Sequence, residues 1–492
     1  MKASSFARFQ CGDAALQGLY EEALRQSREN LRSFGSHRVL VEGGGYEKIW
    51  LETQPMGGDM FALYDLEAAR NNTELFLRLQ REDGRLPGSI RWDGEKLIPE
   101  FNKYQGFCFP FHALNLYYLL GEDAAWLEML ADGLQRFDDC LWRTRSLQPD
   151  GLLRSFCVYD TGEDAALRYG DAPCWWTEDV PPEGYDIVPM ASMDVTSWSF
   201  ASRDTLRQIC LIQGDEAGAE MWRRKATDVS KALRDQLWDD QRGALYDRDR
   251  QGRKIDILTH NPLRCMYWKS ISPEMAWRFV TEHLLNPSEF WTPFPLPSVA
   301  ANDPAFRNAP ENNWSGQPEG LTWQRAIFAL ENYGYHSLVT QLGEKLFHNL
   351  ITHGLVFAQQ MDPFTGVPSL VDAQTHQSIS PSQAGQAQRA YGPTLLAALG
   401  YLAHRWGIQP HLNEVWFSLG SGMPFRYEAG FRDQEFIAEA EGERAWIQVG
   451  ARRIWEGKPG VRIRTDIEGN LLGMDVIEGK ADETSPAEQG SH

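Results

Sequence analysis

The sequence predicts an all-α fold, a six-hairpin (α/α)6 toroid, with a small antiparallel β module at its C-terminal end. Three observations carry the prediction. Helical periodicity dominates to about residue 410, one hairpin grammar recurs along the chain, and beyond about residue 411 the pattern changes to short alternating strands.

Residues 121–142, GEDAAWLEMLADGLQRFDDCLW, space Ala124, Leu127, Leu130, Leu134 and Phe137 at threes and fours, which lays one apolar stripe along a helix. Residues 214–238, GDEAGAEMWRRKATDVSKALRDQLW, open on the same Gly, two acids and Ala, and again end on Leu-Trp. Each is preceded by an apolar helix that stops at glycine, YYLLG at 117–121 and ICLIQG at 209–214, so the unit is a helical hairpin. A less exact copy runs through 333–354, and short glycine turns such as EDGRLPG, PDGLL and WDDQRGALYD link the units. An array of this length closes into a ring whose long loops gather at one end and build the site. An open solenoid would have shorter, more regular repeats. Residues 413–477 alternate VWFSL, EFIAEAEG, AWIQVG and VRIRTDI with tight turns, which reads as a β module. The predicted division is a toroid over 1–410, the β module over 411–480 and a polar, loose tail over 481–492.

With 48 basic and 68 acidic side chains the net charge is −20, which argues against nucleic-acid partners. The first twenty residues have no apolar run typical of a signal peptide, and no stretch approaches a membrane span, so a soluble, cytoplasmic protein without membrane partners is expected. The 7 cysteines lack CxxC spacing and the 11 histidines lack HxxxH or HxH pairs, which predicts reduced thiols, no metal and no cofactor. The 18 tryptophans are the unusual count. Most can simply fill a helical core, but indoles beside carboxylates also describe sugar clefts.

Four segments could carry chemistry. VYDTGEDAALRYGD at 158–171 sets Asp160, Glu163, Asp164 and Arg168 around a Thr-Gly turn just ahead of Cys174, Trp175 and Trp176. A carboxyl among carboxylates and aromatic surface has a raised pKa and can donate a proton at neutral pH; the bland alternative is a solvated or capping acidic turn. The proline-rich loops 290–306 and 311–323 are shaped by tertiary packing and could line a cleft. FAQQMDPFTG at 357–366 ends in a proline turn, and LETQPMGGDMFALYDLEAA at 51–69 puts Asp59 at the mouth of a helix.

In this order, the segments resemble the inverting glycosidases that include processing α-glucosidase I, trehalase and the mannosylglycerate and glucosylglycerate hydrolases. The likeness spans roughly residues 45 to 405. It implies a six-hairpin toroid acting on a small carbohydrate. YDTGEDAALR is similar to the family's acid loop, which carries the general-acid role to Asp164 and a supporting substrate or orienting role to Arg168. Asp194 falls in a matching structural helix. The resemblance further implies sugar contacts at Asp59, Gln105, Trp314 and Tyr391, with Asn313 and Trp314 in a strip like Y-W-R-G. One departure stands out. The family's base lies four residues before the proline of D-P-x-T-G, and here that residue is Gln359, whose amide cannot take a proton from water. Either a displaced carboxylate is the base, with Glu319 ahead of Asp362 and Glu52, or the toroid binds sugar without turnover, or phosphate replaces water and the enzyme is a phosphorylase with Lys345, His348 and His353 as nearby ligands. The order of expectation is hydrolase, binding protein, phosphorylase. The β module either packs against the toroid or pairs subunits into a homo-oligomer, and the sequence leaves both open.

Overall fold

The computed structural model describes residues 5–311, 314–385 and 387–479. The tail expected at 481–492 and the matched Asn313 lie outside the described residues. Among the described residues the helices are α1 (Ala14–Glu29), α2 (Gln54–Phe61), α3 (Leu66–Arg78), α4 (Pro110–Leu119), α5 (Ala124–Arg145), α6 (Met193–Ile212), α7 (Glu216–Leu237), α8 (Asn261–Tyr267), α9 (Pro273–Phe279), α10 (Gly320–Glu331), α11 (His336–Thr352) and α12 (Gly392–Trp406).

The recurring Gly-acid-acid-Ala signature acts as stop and start in one. At the end of α4, Gly121 adopts φ +83° and the N–H groups of Gly121 and Glu122 return to the carbonyls of Tyr118 and Tyr117. Asp123 then caps α5 by accepting from the N–H groups of Ala125 and Trp126. The same device joins α6 to α7: Gly214 turns with φ +75°, Asp215 N–H bonds the carbonyl of Cys210, and the Asp215 side chain caps Gly218. Left-handed glycine satisfies the last carbonyls of one helix while the aspartate satisfies the first amides of the next.

Packing separates the helices into two layers. Helices α4 and α12 bury almost every side chain, as elements covered on all sides do. Helix α7 buries one stripe, Ala219, Trp222, Ala226, Val229, Leu233 and Leu237. The covered helices touch in the order α2, α4, α6, α8, α10, α12 and back to α2, and α1 packs on α12.

The C-terminal region is antiparallel sheet. With β1 (Phe6–Cys11) at the N-terminus, the later strands are β2 (Ile408–His411), β3 (Glu414–Leu419), β4 (Phe425–Phe431), β5 (Gln434–Glu441), β6 (Arg444–Val449), β7 (Arg452–Gly457), β8 (Val461–Thr465) and β9 (Leu471–Val476). They form a five-stranded sheet ordered β1-β4-β5-β6-β7 and a four-stranded sheet ordered β2-β3-β8-β9. The sheet pattern thus begins at Ile408, just ahead of the expected boundary. It also takes in Phe6–Cys11, which pairs with β4 in the register Phe6 to Gly430 and Phe9 to Tyr427.

A buried ionic cluster fastens this sheet region to the helices. Arg462 of β8 is wholly buried and reaches Glu331 of α10 at 2.8 Å, while His404 of α12 lies 2.5 Å from the same carboxylate. Burial opposes ionisation of Glu331, but Arg462 and His404 outweigh it and hold the carboxyl well below its ordinary value. Glu331→Ala would leave the Arg462 charge buried without its carboxylate. It should cost about 3–5 kcal/mol, read as a large fall in the thermal midpoint; a shift under one degree would show that Arg462 finds another partner.

Candidate functional site

The acid-rich turn at 160–164 gives its three carboxylates three environments. Asp160 is wholly buried, pairs with Arg145 Nη1 at 2.9 Å and accepts from Phe156 N–H at 2.8 Å. Glu163 is buried against two guanidiniums, Arg168 and Arg264. Burial opposes its ionisation, but Arg168, Arg264 and His260 outweigh it and hold Glu163 well below the usual carboxylate range. Asp164 turns the other way and lines a cavity of about 290 Å3, with Oδ2 3.8 Å from His376 Nδ1. Adjacent positions of one turn therefore hold an anchored carboxylate and an accessible one.

Glu52 stands beside this turn on the cavity wall, just ahead of α2. Gln105 Nε2 donates to its Oε1 at 3.2 Å, and Arg325 Nη2 approaches Oε2 at 3.0 Å. Two left-handed glycines make room for it. A Cβ on Gly106 (φ +71°) would lie 2.6 Å from Glu52 Cβ, and one on Gly162 (φ +74°) 2.2 Å from Glu52 Oε2. Gly162 is the glycine of the Thr-Gly turn, so its lack of a side chain allows Glu52 to sit next to the loop that carries Asp164. Burial raises Glu52; Arg325, Arg264 and Gln105 pull it back, leaving a value of about 7.

Glu42 lines the same cavity with Tyr391, whose hydroxyl donates to Glu42 Oε1 at 2.9 Å. Tyr391 packs edge-on against Tyr46, and the Tyr46 hydroxyl donates to Gln359 Oε1 at 3.1 Å. Burial, and then the charge of Glu52, push Glu42 well above its ordinary value despite the Tyr391 hydrogen bond. Trp314 completes the wall, with φ +42° and its ring edge-on to His260. Trp50, Lys48 and Lys103 form another side, both ammonium groups lying over the Trp50 indole at 5.0 and 5.4 Å.

Of the residues singled out in the sequence, Asp164, Glu52, Gln105, Trp314, Gln359 and Tyr391 meet in this cavity. Asp59 and Arg168 do not line it. Helix α2 begins at Gln54, so Asp59 lies in its second turn rather than at its mouth. There it bonds His112 Nδ1 and Asn115 Nδ2, each at 2.8 Å, and borders a separate cavity with Phe111, Leu399 and Pro410. Arg168 is buried among Glu163, Asp194 and Asp247 and orients the turn from beneath. Asp194, bound to Arg168 and Arg264, belongs to the same support.

Glu319 is 1 % exposed, off the lining, and neither carboxyl oxygen has a hydrogen-bond partner among the described residues. Burial, and then Asp164, Glu52 and Glu42, push it well above the usual range, which favours its neutral form. Asp362 is occupied in its own turn, accepting from the N–H groups of Phe364 and Thr365 and from Asn308. Lys345, His348 and His353 line a different groove, with Trp291 and Phe364. Sequence reasoning did not single out Glu42. Its EGGG context after an apolar run is a weak turn signal, and its place in the cavity depends on Gly392 N–H bonding its carbonyl at 2.7 Å across the chain.

Because the folded-state pKa of Glu319 lies above its unfolded value, the stability it confers is present in acid and lost as pH rises. Relative to the wild type, Glu319→Gln should therefore melt progressively higher as the pH is raised from 5 to 9. A melting difference independent of pH would mean that Glu319 is already ionised throughout that range.

A family model described as the mannosylglycerate hydrolase MGH1-like glycoside hydrolase domain matches residues 59–379. No curated protein matches the sequence. Among solved structures, the GH63 mannosylglycerate hydrolase from Thermus thermophilus in complex with glucose is 16% identical, with a TM-score of 0.61 over 78% of this chain and 99% of that one. The neutral trehalase Nth1 from Saccharomyces cerevisiae is 13% identical, with a TM-score of 0.52 over 75% of this chain and 73% of that one. The α-L-rhamnosidase from Dictyoglumus thermophilum is 12% identical, with a TM-score of 0.57 over 91% of this chain and 44% of that one. These likenesses are ones of fold.

Proposed function

The chain belongs to the MGH1-like mannosylglycerate hydrolase family and is a glycosidase, and from that premise we propose that it hydrolyses an α-linked small glycoside with inversion, Asp164 acting as general acid and Glu52 as general base. The helical part is read as a six-hairpin (α/α)6 toroid. The closed order of contacts among α2, α4, α6, α8, α10 and α12 supports this, with the cavity at the end where the long loops meet.

The observation that carries the reading is the pairing of Asp164 with Glu52 in one cavity, Glu52 titrating at about 7. In the reaction, the Asp164 proton passes to the glycosidic oxygen as its bond to the anomeric carbon breaks. A water oxygen bonds that carbon from the opposite face and loses a proton to Glu52. Arg325 favours the ionised form of Glu52, and Gln105 donates to its Oε1. Burial pushes Glu42 and Glu319 well above the usual carboxylate range, which makes each the weaker candidate to be the ionised base. Gln359, Tyr391 and Trp314 contribute hydrogen bonds and an apolar face to the sugar. Lys48 and Lys103 stand on the cavity wall, but Lys48 is held by both Glu100 oxygens at 2.9 and 2.8 Å and burial lowers Lys103, so they lend a negatively charged aglycone such as that of a glycosylglycerate only part of their charge.

A second reading, a toroid that binds sugar without turnover, is favoured by one observation, the amide of Gln359 at the family's base position. The phosphorylase reading loses support because Lys345, His348 and His353 line a groove apart from Asp164.

Asp164→Asn should abolish release from α-linked glucosides, mannosides and glycosylglycerates while leaving sugar binding and the melting temperature nearly intact; surviving turnover would remove Asp164 from the mechanism. Glu52→Gln should lower kcat by about 100-fold or more. In the wild type kcat/KM should fall on acidification, with an apparent pKa of about 7 that disappears in the Glu52 variant. If Glu42→Gln has the larger effect and removes that acid limb instead, the base is Glu42. The anomer first released, read by NMR, checks inversion.

A further inference from the structure

Every tryptophan of the chain is buried or half-buried except Trp175, which is 58% exposed. It is held at a defined place. Val158 N–H bonds the carbonyl of Pro173 at 2.9 Å and Tyr159 N–H that of Cys174 at 3.0 Å, so the segment lies alongside the start of the acid-bearing turn. On its other side Trp176 N–H bonds the carbonyl of Asn102 at 2.8 Å, next to Lys103 of the cavity wall, and the Trp176 indole N–H closes a loop onto Val180 at 2.8 Å. The Trp175 ring rests on Tyr159, with centroids 6.2 Å apart and planes at 37°. Tyr159 in turn lines the cavity with Asp164. Burial, and then the Asp164 carboxylate, raise the Tyr159 phenol above its ordinary value, which marks the two as electrical neighbours.

We propose that Trp175 is a stacking platform for a ring in the leaving group, so that the substrate carries a cyclic aglycone, such as a second sugar, on the far side of the scissile bond. The proposal rests on Asp164 being the proton donor. A general acid must touch the glycosidic oxygen, and that oxygen departs with the leaving group. The path outward from Asp164 over Tyr159 to Trp175 is therefore the path of the aglycone. A flat indole face, fixed at the backbone and left uncovered, pairs with the apolar face of a pyranose or an aromatic ring. An acyclic aglycone such as glycerate would reach Lys48 and Lys103 but would give Trp175 nothing to cover, so the platform widens the substrate class beyond glycosylglycerates.

The test is calorimetric binding of matched methyl and phenyl α-glucosides and α-mannosides to the Asp164→Asn protein, with and without Trp175→Ala or Trp175→Phe. The phenyl glycoside should bind about tenfold more tightly than the methyl one; the preference should vanish in the Ala variant and largely return in the Phe variant. Equal binding of the pair, binding of neither, or a phenyl preference that survives Trp175→Ala would overturn the platform. Turnover of the same four glycosides by the wild type separates the two readings. A Trp175-dependent preference without turnover would sink the hydrolase and keep the platform, and turnover without that preference would do the reverse.

Discussion

Glu163 lies in the interior with Arg168 and Arg264, and the two guanidiniums are shared with Asp194 and Asp247. Asn261 adds donors to Glu163 and Asp194 at 3.1 and 2.9 Å. Breaking one member would leave buried charge unpaired, which is far costlier than losing a surface pair. The acid turn is therefore clamped to α6 through Asp194 and to α8 through Asn261 and Arg264. Asp164 inherits its position from the residue before it. A proton donor must meet a single oxygen within a few tenths of an ångström, and a loop held only by its own backbone would not deliver that.

The cavity above the clamp has the opposite charge balance. Glu42, Glu52, Glu319 and Asp164 lie close enough to influence one another, with Arg325 as the nearest countercharge to Glu52. Carboxyls so crowded cannot all ionise, and their protons distribute according to which has the best partner. Arg325 and Gln105 select Glu52 as the member that ionises near neutrality. Below the floor Arg168 and Arg264 pair with Glu163, Asp194 and Asp247, whereas above it Arg325 serves Glu52 and burial lifts Glu42 and Glu319, and that contrast separates scaffold from chemistry in a region where acids are dense throughout.

How much of this the sequence discloses follows the range of the interactions. Helix ends were legible because glycine and aspartate act within four residues of themselves, as at Gly121-Asp123 and Gly214-Asp215. The acid turn was legible because its acids lie within five residues of one another. Asp59 illustrates the limit: an acid near a helix start reads the same whether the helix begins beside it or five residues earlier, and the start at Gln54 carries Asp59 to another cavity while Glu52 takes the wall. Arg168 shows a second limit, since a guanidinium that binds sugar and one that binds three buried acids look identical in a string of letters. Glu42 is the extreme case, because its neighbours Tyr391 and Gln359 come from the far end of the helical region.

That last contact has a consequence for how the protein is made. The wall formed by Glu42 and Tyr391 exists only where α1 packs on α12, and strand β1 finds its hydrogen-bonding partner only when β4 has been synthesised. During translation residues 6–42 must wait for residues 391–430, their strand edge unpaired and their part of the cavity open. Contacts of such long sequence separation fold slowly and leave early segments exposed to misassociation. They also make the cavity a checkpoint: a chain interrupted before Tyr391 lacks both the hydroxyl and the Gly392 N–H that seat Glu42, so its pocket stays open on that side.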